Sequence, residues 1–392
     1  MIHPKDIIKK HSVAELIETA NQYYQSISDP SEQLAKPFNN LLEAPHTLKS
    51  MGEILRGLNL GKTMTVLDFG SGTSWSSKYL NELQCRTISC DASEEALRLG
   101  KYLFEKHGLI RQPVGEPQFL LFDGYTIDLP DCSVDRIICF DSFHHIPNQE
   151  DVLSEFARVL NPGGIAGFSE PGRYHSQTAM SQSEMQNYRV LENDIILQDI
   201  FKIASRFGFT KMLMNIQNNL QFTLKDIELL EKENRPTEQK ILNDVKQTIL
   251  DRNVFFLHKG EPVFDSRNHH GLAHQLSSKA SNLKIEKNKK LNITLNIKNT
   301  GEAIWLKENI QNIGVVNLGI HLYHTNCDLI NLDFARHSLK ESLKPGESIE
   351  EEIVLQFKEE GSYILAIDMV AEDICWFENI GSKPVKINLE VT

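Results

Sequence analysis

The sequence predicts an α/β fold followed by a separate all-β part, and two observations carry this. Between residues 65 and 175, short apolar runs alternate with stretches of helical period across short connections, the pattern of a parallel, doubly wound sheet. From Leu283 onward the period changes to two, with Leu291, Ile293, Leu295 and Ile297 alternating with polar residues. A chain of 392 residues accommodates a large and a small domain.

Composition narrows the function classes. Hydrophobic residues make up 40% and charged residues 24%, as in globular proteins. No apolar run approaches the roughly 20 residues a membrane span needs, and the start, Met1-Ile2-His3-Pro4-Lys5-Asp6, lacks a signal peptide's apolar segment. The expected location is therefore cytoplasmic. A formal net charge of −12 argues against nucleic acid as a partner, because phosphate binding needs clustered Lys and Arg. The cysteines, Cys85, Cys90, Cys132, Cys139, Cys327 and Cys375, form no Cys-x-x-Cys pair, so neither zinc nor a disulfide framework is expected.

Residues 1–60 read as a helical cap. Ser12 and Glu15 have capping-box spacing, and Val13, Leu16, Ile17, Ala20, Tyr23 and Tyr24 follow on one broad face. Pro37 and Pro45 break the next stretch, and a helix over Leu48–Leu58 precedes Gly61. These helices either pad the sheet or form a lid that excludes water from a ligand, with Tyr23, Tyr24, Lys36, Phe38 or Asn39 reaching in.

Val66 and Leu67 open the first strand, which stops at Asp68; Gly70 and Gly72 then allow a sharp turn and a close approach to a ligand. Helical spacing resumes at Trp75, Tyr79, Leu80 and Leu83, so free backbone N–H groups point above the turn. A dinucleotide turn wants a third small residue where this chain has Trp75. Asp68, directly before the turn, repels a pyrophosphate but suits the ammonium of S-adenosylmethionine. The residues thus favour S-adenosylmethionine over a nicotinamide cofactor.

Arg86–Cys90 is a second strand ending at Asp91, 23 positions beyond Asp68, where a carboxylate can accept both ribose hydroxyls. A helix over Glu94–Phe104 leads to a third strand, Gln118–Phe122, ending at Asp123-Gly124, which is placed to accept from an adenine amino group. Asp135–Phe140 is a fourth, ending at Asp141-Ser142-Phe143-His144-His145-Ile146-Pro147. Asn148 caps a helix carrying Val152, Leu153, Phe156, Val159 and Leu160. Asn161-Pro162-Gly163-Gly164 stops it, and Ile165–Ser169 begins a fifth strand leading to Glu170. The ligand crevice of such a sheet lies beyond the carboxyl ends of its strands, where Asp68, Asp91, Asp123, Asp141 and Glu170 all fall.

Val66–Thr73, Asp91, Asp123-Gly124, Phe143–Pro147 and Arg158-Val159-Leu160-Asn161-Pro162-Gly163-Gly164 resemble class I S-adenosylmethionine-dependent methyltransferases, in the branch with His-His-Ile-Pro and Arg-Val-Leu-x-Pro-Gly-Gly segments. The resemblance is strong over about residues 60–175 and weak to about 260; it departs at Ser74, where the family usually carries a third glycine. It implies a Rossmann-like methyltransferase sheet of seven strands with S-adenosylmethionine as cofactor. Gly70 and Gly72 would lie at the methionyl part, Asp91 at the ribose, and Asp123 with Gly124 at the adenine. The candidate cofactor-binding set is Asp68, Gly70, Gly72, Thr73, Asp91, Ala92, Asp123, Gly124, Asp141 and Ser142.

The domain reading places the methyltransferase domain at 61–262, with residues 173–208 as an insertion too long for a plain crossover that shapes the acceptor site. Tyr174, Tyr188, Arg189 and Glu192 are its candidate acceptor-binding residues. A sixth strand over Phe209–Ile216, helices from Thr223 and over about Glu238–Leu250, and a seventh strand at Asn253–His258 complete the domain. Residues 263–282 are polar and aperiodic and read as a linker, their histidines as a solvated hinge. Residues 283–392 read as an immunoglobulin-like β-sandwich, with strands at 291–297, 315–323, 349–357, 363–370 and 385–391. It faintly resembles modules of bacterial surface-glycan enzymes. Trp305, Trp376 and Phe377 either stack on sugar faces or fill its core.

Methyl transfer from a sulfonium needs the acceptor held in line and water kept out. A hydroxyl acceptor adds a need for a base near neutrality, and His175 or His144 is the candidate. Glu170 either orients the base or acceptor or caps the following turn. The spacing of Asp141, Glu170 and His175 demands no metal, and none is expected. The reading is thus a methyltransferase acting on the oxygen of a sugar or glycan intermediate of a bacterial surface polysaccharide, with a sandwich that recruits the acceptor or a glycan-assembly partner. Two alternatives stay open: a small-molecule methyltransferase whose sandwich makes a homodimer, and a non-catalytic cofactor-binding scaffold.

Overall fold

The structure is a computed structural model and describes residues 1–217, 220–232 and 235–392. The chain divides into two compact units, residues 1–60 with 64–262, and residues 61–63 with 263–392.

The first unit opens with α1 (Pro4–Lys10), α2 (Val13–Ser26), α3 (Ser31–Leu34) and α4 (Ala44–Leu58). The capping box of α2 is formed: Glu15 N donates to Ser12 Oγ, and Ser12 N donates to Glu15 Oε2 at 2.7 Å. Then follow β1 (Thr65–Phe69), α5 (Trp75–Glu82), β2 (Arg86–Asp91), α6 (Glu94–His107), β3 (Gln118–Leu121), β4 (Val134–Phe140), α7 (Gln149–Val159) and β5 (Leu160–Pro171). The remainder is α8 (Ala179–Asn187), α9 (Leu197–Ala204), β6 (Phe209–Asn215), α10 (Leu224–Glu231), α11 (Arg235–Asp251) and β7 (Arg252–Lys259).

These strands form one sheet in the order β3-β2-β1-β4-β5-β7-β6. The first five are parallel, whereas β7 runs antiparallel to both β5 and β6, a direction that apolar period alone does not encode. Strand order reverses between β1 and β4, so the crevice of the fold opens beyond Phe69 and Phe140. Successive residues of β1 bury opposite faces. Leu67 and Phe69 join Ile137, Phe156 and Phe168, while Val66 packs with Ile138, Ile165, Trp75 and the α4 residues Ile54 and Leu58. A sheet covered on both sides holds its strand ends rigidly, which is what a site at those ends requires. Asn148 does not cap α7 through its side chain; its Nδ2 donates to Gly124 O at 3.0 Å and ties the ends of β3 and β4 together.

Residues 173–208 hold α8 and α9, and Met185 and Leu191 form a buried cluster with Ile7 and Leu16. Gln182 Nε2 donates to Ile2 O at 2.8 Å, and the Tyr23 and Tyr188 rings meet edge to face. The N-terminal helices thus pack on the insertion as well as on the sheet.

The second unit is all-β. It contains β8 (Phe264–Asp265), β9 (His274–Ser278), β10 (Asn282–Ile285), β11 (Lys290–Asn299), β12 (Ala303–Ile304), β13 (Val316–His324), β14 (Leu329–Ser338), β15 (Ser348–Gln356), β16 (Gly361–Ala371), β17 (Cys375–Trp376) and β18 (Val385–Val391). A sheet ordered β10-β18-β16-β13-β14, with β17 beside β16, packs on a β15-β11-β9 sheet, and both contribute to one core. The linker reading of residues 263–282 is corrected here: β8 pairs with β12, and β9 pairs with β11 from Leu295–Ser278 to Asn299–His274. Nor is His274 a solvated hinge residue, since it is buried against Asp368. The sugar-stacking reading of Trp305 and Phe377 is also overturned, because both are wholly buried. Trp376 is half-buried, with the Arg336 guanidinium 4.3 Å above its ring. Among the described residues, no helix is long and apolar enough to cross a membrane.

Candidate active site

The glycine turn after β1 has the conformation its residues predict. Gly70 and Gly72 adopt φ of +69° and +52°, and a Cβ on Gly70 would lie 2.2 Å from Ser142 Cβ, so the tips of β1 and β4 converge only because that atom is missing. Ser142 Oγ donates to Phe69 O at 3.0 Å and closes the same junction. Gly72 N donates to Asp91 Oδ2 and Ser93 N to Asp91 Oδ1, both at 2.8 Å. Burial raises the Asp91 carboxyl pKa against the pull of these donors. Thr73 Oγ1 donates to Gln33 O at 2.9 Å, and Ala92 packs against the core. Ser71 Oγ is buried and has no partner among the described residues.

Two more carboxylates of the expected cofactor set, Asp68 and Asp123, have the following partners. Asp68 is turned back toward α5, where its Oδ2 accepts from Ser76 Oγ at 2.6 Å and Ser77 Oγ at 2.7 Å. Burial pushes its pKa up to about 6 despite the two hydroxyls. It therefore anchors the end of β1 to α5. Asp123 is exposed, and its Oδ1 accepts from Tyr125 N and Thr126 N, each at 2.7 Å. Gly124 lies beneath α2: a Cβ there would meet Ile17 Cδ1 at 2.4 Å.

The second half of the site lies at the ends of β4 and β5. Asp141, in the left-handed region at φ +49°, pairs with Arg252 Nη1 at 2.7 Å. Residues 143–145 make one 3₁₀ turn, held by Glu170 from the end of β5. The fully buried Glu170 carboxylate accepts from Ser142 N, Phe143 N and His144 N, and its Oε2 is 2.6 Å from His144 Nδ1. Burial opposes charge on His144, but the Glu170 hydrogen bond and the charges of Glu170, Glu192 and Asp141 outweigh it and raise the pKa. Burial, then the neighbouring His144 charge, pushes His145 down to about 4.

The insertion completes this cluster. Glu192 Oε2 lies 2.6 Å from His175 Nε2 and 3.9 Å from His144 Nε2, and Glu192 Oε1 lies 3.5 Å from His145 Nδ1. His175 thus sits beside His144, with ring centroids 5.1 Å apart. Asn193 Nδ2 donates to the carbonyls of His144 and Ile146 and fixes the loop from the other side. The structure therefore brings His144, His175, Glu170 and Glu192 together. Tyr174, Tyr188 and Arg189 are exposed. The sequence reading missed Arg252, Asn193 and Ser181 (Oγ 3.3 Å from His175 Nε2), which sit in stretches without a motif.

Residues 67–168 match the methyltransferase domain family. The chain is 29% identical over 174 residues to the sarcosine/dimethylglycine N-methyltransferase of Halorhodospira halochloris, covering 40% of this chain and 60% of that protein. It is 29% identical over 101 residues to the sterol 24-C-methyltransferase of Eremothecium gossypii, or 26% of each. The structure of Haemonchus contortus phosphoethanolamine N-methyltransferase 2 in complex with S-adenosyl-L-methionine matches with a TM-score of 0.45 at 16% identity, over 64% of this chain and 60% of that one. The chain thus spans 60% of the length of the first of these relatives. It carries a class I methyltransferase domain. The cofactor of that domain is S-adenosylmethionine, and the two left-handed glycines with the unpartnered Ser71 hydroxyl provide a cradle of the kind that cofactor needs.

Proposed function

We propose that the chain is an S-adenosylmethionine-dependent methyltransferase that methylates a hydroxyl oxygen of a small polar acceptor, with sugars and glycan intermediates as the first class to test. The observation that carries this reading is the buried His144–Glu170 pair at 2.6 Å, with His144 Nε2 turned toward the insertion. A carboxylate on one imidazole nitrogen fixes the tautomer and leaves the other to accept a proton. The cofactor supplies an electrophilic methyl group on a sulfonium. Gly70, Gly72 and Asp91 hold it, and His144 Nε2 takes the proton that the acceptor hydroxyl loses. His175, tied to Glu192, orients the acceptor or serves as the alternative base. The polar lining of His144, His175 and Glu192 suits an acceptor with several hydroxyls better than a flat apolar one. The β-sandwich is assigned the recruitment of acceptor or partner, the competing role being to join two copies of the chain.

A panel of sugars, glycan intermediates, amines and sterols, assayed by transfer of an isotopically labelled methyl group, tests this. His144→Gln is expected to lower turnover roughly 100-fold while leaving cofactor affinity unchanged. Full activity in both His144→Gln and His175→Gln would remove the base assignment. Cofactor binding without transfer to any acceptor would establish the scaffold alternative, and methylation of amines alone would move the chemistry to nitrogen.

A further inference from the structure

His144, His145 and Glu192 form a compact side-chain cluster beside the Glu170-bound turn. Their ligand-capable atoms lie within 4.8 Å of one another, with His144 and Glu192 buried and His145 half-buried. The separations of 3.5 Å (His145 Nδ1–Glu192 Oε1) and 3.9 Å (His144 Nε2–Glu192 Oε2) exceed a hydrogen bond. Each runs to a different oxygen of Glu192, and both fall in the range of donors that share one metal ion: with bonds near 2.1 Å, two ligands on a common centre stand about 3 to 4.2 Å apart. We propose that His144, His145 and Glu192 bind a divalent transition-metal ion beside the acceptor position.

The surroundings fit a metal centre. A metal-bound imidazole usually gives its second nitrogen to a carboxylate, and Glu170 Oε2 takes that place on His144 Nδ1 at 2.6 Å. Glu192 is steadied in turn by His175 Nε2 at 2.6 Å. His145 Nδ1 donates to Leu191 O at 2.7 Å, so metal binding would break that hydrogen bond and move the ring proton to Nε2. Two imidazoles and one carboxylate suit Zn²⁺, Co²⁺, Fe²⁺ or Mn²⁺, whereas Mg²⁺ and Ca²⁺ prefer oxygen alone. Three protein ligands leave a position open, as catalytic sites do. The role of that position, holding the acceptor oxygen, rests on the function proposed above with His175 rather than His144 as the base, because His144 Nε2 is then a metal ligand; the site itself does not.

The test begins with the full-length chain stripped by chelator, loaded with S-adenosylmethionine and titrated with Co²⁺. One equivalent is expected to give a visible absorption band that Zn²⁺ displaces, and Glu192→Gln and His145→Gln are each expected to weaken it roughly tenfold or more. Retained cofactor affinity shows that the variants are folded. Binding that is absent, or unchanged in both variants, overturns the proposal and assigns any uptake to surface histidines. Carbethoxylation of His145 in the unaltered chain, read by mass spectrometry, needs no variant. Protection by Zn²⁺ supports the site, and equal labelling with and without Zn²⁺ overturns it. The two readings fail separately. Methyl transfer from a chain that binds no metal sinks the metal site alone, and stoichiometric Co²⁺ without any hydroxyl methylation sinks the function alone.

Discussion

Tyr24 Oη stands over the glycine turn, 2.8 Å from the point a Cβ on Gly72 would occupy. Gly72 also holds φ at +52° while its N–H is donated to Asp91. Three demands thus meet at one residue: left-handed backbone, an unobstructed amide and room beneath α2. Gly72→Ala meets the tyrosine hydroxyl and adds about 1 to 2 kcal/mol of backbone strain. Cofactor affinity measured by calorimetry is expected to fall roughly tenfold or more, and an unchanged Kd would show that the turn is not the cradle.

Ser74 occupies the position where related turns carry glycine, and it too is left-handed, at φ +59°. Its hydroxyl is fully buried and has no partner among the described residues. Both features cost stability, so Ser74→Gly is expected to stabilise the first unit by about 1 kcal/mol in denaturant unfolding. Ser74→Val, β-branched in the same conformation, is expected to destabilise it by at least as much. A loss of stability in the glycine variant would mean that Ser74 makes a contact its geometry does not suggest.

The fold was legible where period and punctuation agree, as in the apolar runs at Val66–Leu67 and Ile137–Ile138 and the alternation of β11. β9 was not. His274-Gln275-Leu276-Ser277-Ser278 is an edge strand whose buried positions include a polar histidine, so the hydrophobic pattern that marks a strand is missing. The site divides in the same way. His144 and Glu170 stand at strand ends and were singled out by position. Glu192 was singled out as an acceptor contact, but its place between three histidines depends on how the insertion folds back. The partners of Asp68 were not legible, because a strand-tip carboxylate can turn toward either the crevice or the helix behind it, and Ser76 and Ser77 draw one of its oxygens to the helix.

Asp68 makes stability depend on pH. Its pKa rises from an ordinary value of 3.8 to about 6 in the folded chain, chiefly through burial. Between these values the folded state holds a proton that the unfolded state has released. Stability is therefore expected to fall as pH rises from about 4 to about 6, by on the order of 3 kcal/mol from this group, and then to level off. Asp68→Asn removes the ionisation while keeping an acceptor for Ser76 and Ser77. Its unfolding free energy is expected to lose that slope, and a slope identical to the parent's would place the titration elsewhere.

In the second unit, His274 Nε2 lies 2.5 Å from Asp368 Oδ1, and both side chains are wholly buried. Asp368 Oδ2 also accepts from Glu378 N at 2.8 Å, so one carboxylate ties β9 and the turn after β17 to β16. Removing one partner of a buried pair strands the other in a poor solvent, which costs about 3 to 5 kcal/mol, more than most exposed pairs contribute. His274→Ala in the full chain is expected to lower the unfolding transition of this unit by that amount while methyl transfer by the first unit persists. Asp368→Asn, which keeps a polar group for both His274 and Glu378 N, is expected to cost less. Equal and small effects from the two variants would mean that β9 is held by its pairing with β11 alone, and that the buried pair adds little to the sandwich.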